Sequence, residues 1–113
     1  MLDWNRIREL RDEVGEDEFR VILELSLDEV ETVMVRLSIG CPMGLVADLH
    51  FLNGCASNLG LQCLSLLCGR GEKLASQNRL AQADLDELME SYSASKQRLI
   101  AELAAERLVQ RRA

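Results

Sequence analysis

Residues 45–60 read LVADLHFLNGCASNLG, and the spacing of their apolar side chains decides how the chain folds. Successive residues of an α-helix lie about 100° apart around its axis. On that wheel one set of apolar residues falls within about 40° of a single line. The set is Leu45, Leu49, Leu52, Ala56 and Leu59. The stretch therefore predicts an amphipathic helix that buries this stripe against a partner element.

His50 is placed by the same wheel on the other side of the helix, about 140° from the stripe. Its neighbours one or two turns later are Asn53, Gly54 and Ser57. We therefore expect an exposed imidazole among small and polar groups. Gly54 is unusual, because a glycine inside a helix costs stability, and it would let another protein approach the ring closely. A lone exposed histidine is more often plain surface, so spacing alone leaves its role open.

Five helical segments are predicted along the chain, and the four long ones carry apolar residues at three- and four-residue steps. They cover residues 4–13, 17–38, 42–58, 61–75 and 84–109. Long amphipathic helices with short connections predict an all-α fold. The specific expectation is an antiparallel four-helix bundle with a short additional N-terminal helix, forming a single domain over residues 1–113.

The ends of these helices carry residues that start or stop a helix. Gly15 is expected to break the first segment, while Gly40 and Gly60 are expected to end the second and third. Pro42 suits the first turn of the third helix. Asp84 is the predicted N-cap of the fifth helix, because its carboxylate can accept from free backbone N–H groups.

Composition excludes several classes of partner. The chain has 113 residues, 48% hydrophobic and 28% charged, with a formal net charge of −6. An acidic surface repels phosphate backbones, so no nucleic-acid partner is expected. No apolar run is long enough for a membrane span, and the first residues have no apolar signal core. We therefore expect a cytoplasmic protein that has no membrane partner.

Four cysteines are present, Cys41, Cys55, Cys63 and Cys68. Without a secretion signal, free thiols are the expectation, and most of these positions suit a small core side chain. No C-x-x-C pair occurs, so no metal site is predicted. A thiol or metal protein that uses the cysteines together with His50 is kept as an alternative.

The stretch from His50 to Gly60 resembles the signature of histidine-phosphotransfer (HPt) domains, H-x-x-K-G-small-small-x-x-apolar-G. The matching positions are His50, Gly54, Cys55, Ala56, Leu59 and Gly60. Downstream, Leu64, Cys68 and Glu72 look like the family's L-x-x-x-C-x-x-x-E continuation on the next helix. The order and lengths of the predicted helices also fit, so the resemblance extends over most of the chain.

The resemblance implies a phosphorelay protein in which His50 accepts and donates a phosphoryl group between aspartates of receiver domains. The implied partners are response-regulator receiver domains and a hybrid sensor histidine kinase. Mg²⁺ is expected on the partner receiver, and no cofactor or metal in this chain, which is expected to be a monomer without ATP-dependent kinase activity. Gly54 would provide clearance, and Asn53 and Ser57 would hydrogen-bond the phosphoryl oxygens.

Asn53 departs from the family pattern, which has lysine at this position. A lysine would contribute a charge-assisted hydrogen bond of about 1.5–3 kcal/mol, whereas a neutral amide contributes about 0.5–1.5 kcal/mol. Phosphorylated His50 would then be less stabilised, which favours onward transfer. The alternative is a degenerate module that binds receivers or kinases without accepting phosphate.

Phe51 either packs in the bundle beside the first helix or belongs to a partner surface.

Overall fold

The computed structural model describes residues 2–39 and 44–112, the last six of them by their backbone alone. It contains five helices: α1 (Trp4–Val14), α2 (Glu16–Ser38), α3 (Leu45–Asn58), α4 (Gln62–Ser76) and α5 (Gln82–Arg112). The described residues contain no strand, only an isolated β-bridge between Leu2 and Leu61. The prediction of an all-α protein is therefore confirmed. The roles predicted for Gly40 and Pro42 lie outside the described residues.

The helix ends agree with the sequence at Gly15 and at Gly60, which directly follows the C-cap of α3, and they differ at the start of α5. Gly15 has φ of +85° and separates α1 from α2, as expected. The N-cap prediction for Asp84 is wrong, because α5 already begins at Gln82. Asp84 Oδ2 instead accepts a hydrogen bond from the Ala81 N–H at 2.9 Å. A carboxylate in the third helical position that reaches back in this way is one half of a capping box.

The helices pack in pairs around one apolar cluster. α3 packs against α4, α4 against α5, and α2 against α1, α3 and α5. Every helix contributes to the cluster, with Ile7, Val30, Leu52, Leu64 and Leu99 as one buried example from each. The described residues extend 53 Å along the longest axis and 22 Å along each of the others. Nowhere in the described ranges is there a helix with the length and apolar character to cross a bilayer.

Ion pairs connect helices at the edge of this core. Arg11 pairs with Glu106 at 2.6 Å, which joins α1 to α5, and the same hydrogen bond raises the pKa of Arg11. Lys96 donates to both oxygens of Glu31 at 3.0 Å, which lowers the pKa of that carboxyl and joins α5 to α2. Partly exposed pairs contribute at most about 1 kcal/mol each, so burial of the core remains the main stabilising term.

The N-terminal segment contacts the turn between α3 and α4. The Asp3 N–H donates to the Gly60 carbonyl at 2.8 Å. Gly60 has a backbone φ of +73°, a value that residues other than glycine rarely adopt. A Cβ at this position would stand 2.7 Å from the Asp3 carbonyl oxygen and 2.9 Å from Cγ1 of Ile7. Glycine is therefore required here both by the backbone conformation and by the close approach of α1.

We expect Gly60→Ala to lower the free energy of unfolding by about 2–5 kcal/mol, from left-handed strain and overpacking together. Gly54→Ala is the matched control, since Gly54 lies inside α3 and a Cβ there would meet nothing within 4 Å. The control should raise stability by about 0.5–1 kcal/mol. Urea unfolding followed by helical circular dichroism measures both. Equal midpoints for the two variants would show that the turn tolerates a side chain.

Candidate functional site

His50 stands on the surface of α3, on the side that faces the edge of α4. Leu49, Leu52 and Ala56 are fully buried, so the opposite side of the helix is left to solvent. The His50 side chain is 77% exposed. The ring is therefore reachable by another protein, as the helical wheel predicts.

Glu72 on α4 holds the ring of His50. Its Oε1 lies 2.9 Å from His50 Nδ1, and the glutamate side chain is 29% exposed. When the carboxylate is ionised it has no hydrogen to donate, so the contact then favours the form of the ring that carries its proton on Nδ1. The neutral imidazole then has its lone pair on Nε2. The pair of side chains thus presents a nucleophilic nitrogen at the protein surface.

Asn53 lies one turn after His50, and its amide is tied to α4. The Ser65 hydroxyl donates to Asn53 Oδ1 at 2.6 Å. The amide nitrogen lies next to Gly69, where a Cβ would be 3.6 Å away. Asn53 is half-buried, so one end of the amide is fixed inside the helix pair while the side chain still reaches the surface.

Ser57 continues the same row of polar groups. Its Oγ lies 2.8 Å from Ser65 Oγ. Because it follows His50 by seven residues, it lies about 10 Å further along the helix axis. The Ser57 hydroxyl, which the family resemblance implies as a phosphate contact, is therefore hydrogen-bonded to α4. It lies two helical turns away from the His50 ring.

Gly54 faces solvent on the outer side of α3. No atom lies within 4 Å of the position that its Cβ would take. The fold therefore places no steric demand for glycine here, in contrast to Gly60. The missing side chain leaves the surface beside His50 flat.

Two shallow depressions flank the exposed side of α3. One is formed by the first turn of α3 together with His50, Glu72 and the end of α4. The other lies between α2 and α3, where Phe51 is 41% exposed beside Val33 and the Arg36–Asp48 ion pair. Phe51 thus lines the groove next to α2 and keeps part of its ring in solvent.

The cysteines that the structure describes are free thiols at Cys55, Cys63 and Cys68. Burial raises the pKa of the Cys68 thiol to about 12, and burial also raises the pKa of Cys55. Thiols with raised pKa values are poor nucleophiles and poor metal ligands at neutral pH. Within the described ranges, no group of three or more His, Cys, Asp or Glu side chains is arranged to hold a metal ion. Cys41 lies outside those ranges.

Two contacts of the site were not predicted from the sequence. In the sequence, Glu72 stands out only as part of the family-like pattern, and no pattern distinguishes Ser65. Their common signal is spacing: Ser65, Gly69 and Glu72 follow one another at four and three residues, and so share one side of α4. That side faces the row formed by Ser57, Asn53 and His50 on α3.

Comparison of the chain with family models, with curated proteins and with solved structures finds no match in any of the three.

We expect Glu72→Ala to release the His50 ring, because the acceptor that selects the Nδ1–H tautomer is removed. The tautomer populations can be read from the imidazole ¹⁵N chemical shifts, at a pH where the ring is neutral. Lys73→Ala is the matched control. Lys73 is the exposed neighbour of Glu72 on α4, and its substitution removes a charge but leaves the His50–Glu72 contact in place. An unchanged tautomer population in Glu72→Ala would contradict the role given to the carboxylate.

Proposed function

We propose that this chain is a histidine phosphotransfer protein of a phosphorelay, with His50 as the residue that accepts and donates the phosphoryl group. The observation that carries the proposal is the exposed imidazole of His50, whose Nδ1 is hydrogen-bonded to Glu72 Oε1 at 2.9 Å. Such a ring is accessible and oriented, and an ionised carboxylate at Nδ1 favours the tautomer with its lone pair on Nε2, which a nucleophile requires. The resemblance of residues 50–60 to the HPt signature supports the same function.

The proposed architecture is an antiparallel four-helix bundle with α1 as an additional N-terminal helix. Pairwise packing supports it, because α2, α3, α4 and α5 each contact two of the other three helices. In such a bundle the outer side of one helix is free to meet a partner while its inner side maintains the core. We infer that α3 is the helix that meets the partner.

The proposed reaction begins with a receiver domain that carries an aspartyl phosphate. The Nε2 lone pair of His50 attacks phosphorus in line, the P–N bond forms, and the bond from phosphorus to the aspartate oxygen breaks. The aspartate leaves as a carboxylate. The resulting phosphoimidazole carries a positive charge that the Glu72 carboxylate stabilises through Nδ1–H. Attack by a second receiver's aspartate reverses these steps and frees the ring.

The partners that fit this reaction are response-regulator receiver domains and the receiver of a hybrid sensor histidine kinase. We expect the receiver to bring Mg²⁺, which neutralises charge on the transferred group. The flat surface at Gly54 would let the receiver's phosphorylated loop approach His50. Phe51, 41% exposed in the neighbouring groove, would supply apolar contact at the edge of the interface.

A module that binds receivers without accepting phosphate is the second candidate. The observation that favours it is Asn53, which stands where the family has lysine and has its Oδ1 engaged by Ser65. A neutral amide stabilises a phosphoryl group less than an ammonium does. The two candidates differ in whether a phosphoryl group ever becomes attached to His50.

We expect the wild-type chain to acquire an acid-labile phosphoryl label from a phosphorylated receiver of the source organism, and His50→Gln to acquire none. Because the ring is exposed, His50→Gln should keep its helical circular dichroism signal. The measurement is transfer of radiolabelled phosphate to the purified protein. If no cognate receiver labels the wild type although one binds it, the binding-only module is correct.

We expect Asn53→Lys to lengthen the lifetime of the phosphoryl group on His50 about fivefold to tenfold, since a charge-assisted hydrogen bond replaces a neutral one. Asn58→Lys is the matched control. It adds the same charge to the same helix, eight residues and about 12 Å along the axis from His50. The lifetime is followed by ³¹P NMR. Equal lifetimes in both lysine variants would show that position 53 does not meet the phosphoryl group.

A further inference from the structure

We infer that Ser65, supported by Ser57, is a positioning residue that orients the Asn53 amide so that its nitrogen faces the phosphoryl site of His50. The inference rests on the proposed function and deepens it, because it assigns the stabilising donor that stands in place of a lysine. None of the three side chains needs to touch the imidazole for this role.

The orientation of the amide follows from its two neighbours on α4. Ser65 donates to Asn53 Oδ1 at 2.6 Å, which fixes the oxygen end. Gly69 lies one helical turn beyond Ser65, and its Cβ position is 3.6 Å from Asn53 Nδ2. Glu72, which bonds His50, lies three residues further along the same side of α4. The nitrogen end of the amide is therefore the end that points along α4 toward the histidine.

The two serine hydroxyls donate in the same direction, from Ser57 to Ser65 and from Ser65 to Asn53. A serine hydroxyl has one hydrogen to donate. Ser65 gives its hydrogen to Asn53, so the contact of 2.8 Å between Ser57 Oγ and Ser65 Oγ has Ser57 as donor. Ser57 thus acts through Ser65 on Asn53, and its hydrogen is not available to a phosphoryl oxygen.

Orientation matters because an amide has an accepting end and a donating end. With Nδ2 on the side of His50, the side chain offers N–H donors to phosphoryl oxygens. With the amide turned over, Oδ1 would face those oxygens and repel them. Gly69 has no side chain, so no Cβ from α4 stands against the Asn53 nitrogen, which lies 3.6 Å from the position such a Cβ would take.

The test uses the full chain, phosphorylated on His50 with phosphoramidate, a small donor that needs no receiver. We expect Ser65→Ala to shorten the phosphohistidine lifetime about twofold to tenfold, the range that one neutral hydrogen bond supports. Ser65→Thr, which keeps the hydroxyl, should restore the wild-type lifetime. In an Asn53→Ala background, Ser65→Ala should have no further effect, because the group it positions is absent.

A second readout concerns the unphosphorylated protein. Ser65→Ala and the milder Ser57→Ala should shift the side-chain amide resonances of Asn53 in ¹H–¹⁵N spectra, the former by more. A lifetime that Ser65→Ala leaves unchanged overturns the inference. So does a shortening of equal size in the Asn53→Ala background, because that pattern is expected from a purely structural role.

Failure of the proposed function gives a different pattern. If no receiver phosphorylates His50 but the phosphoramidate lifetime still depends on Ser65 through Asn53, the relay function is wrong and the positioning network is correct. If receivers label His50 but Ser65→Ala keeps the wild-type lifetime, the network is wrong and the relay function is unaffected.

Discussion

Burial of one side of α3 against α4 is the contact on which the rest of the structure depends. Leu49, Leu52 and Ala56 are fully buried there, which turns His50 toward solvent on the same helix. Close approach of the two helices is eased by Gly71, whose Cβ position lies 3.6 Å from both Leu49 methyl groups. The same approach brings α4 within hydrogen-bond reach of the imidazole. Core packing and the geometry of the site therefore have one common cause.

The elements that could be predicted are those that depend on local pattern. Helical periodicity was sufficient for the buried stripe of α3 and for the exposure of His50, since both follow from the 100° step between residues. The break at Gly15 followed from a glycine between two apolar patterns. Asp84 shows where such reasoning ends, because a carboxylate can cap a helix start either from the N-cap position or from the third helical position, where it accepts from the N-cap N–H. Local pattern does not distinguish these two positions.

The contacts between helices could not be predicted in the same way. The distance of 2.9 Å between His50 and Glu72 depends on how far α4 is shifted along α3, and apolar stripes define that shift only to within about a turn. Ser65 cannot be identified from the sequence, because a serine on a helix surface has no distinctive pattern. Phe51 was ambiguous because a groove position is neither core nor open surface. The site is therefore more strongly determined by the register of two helices than by any single motif.

The hydrogen bond from Asp3 to Gly60 has a consequence for motion. It attaches the start of α1 to the turn from which both helices of the site extend. Opening of α1 would release that turn and loosen the register between α3 and α4, far from the imidazole itself. The rate at which the Asp3 amide proton exchanges with solvent therefore reports how often the turn opens. This rate measures the rigidity of the site at the end of α3 that lies away from His50.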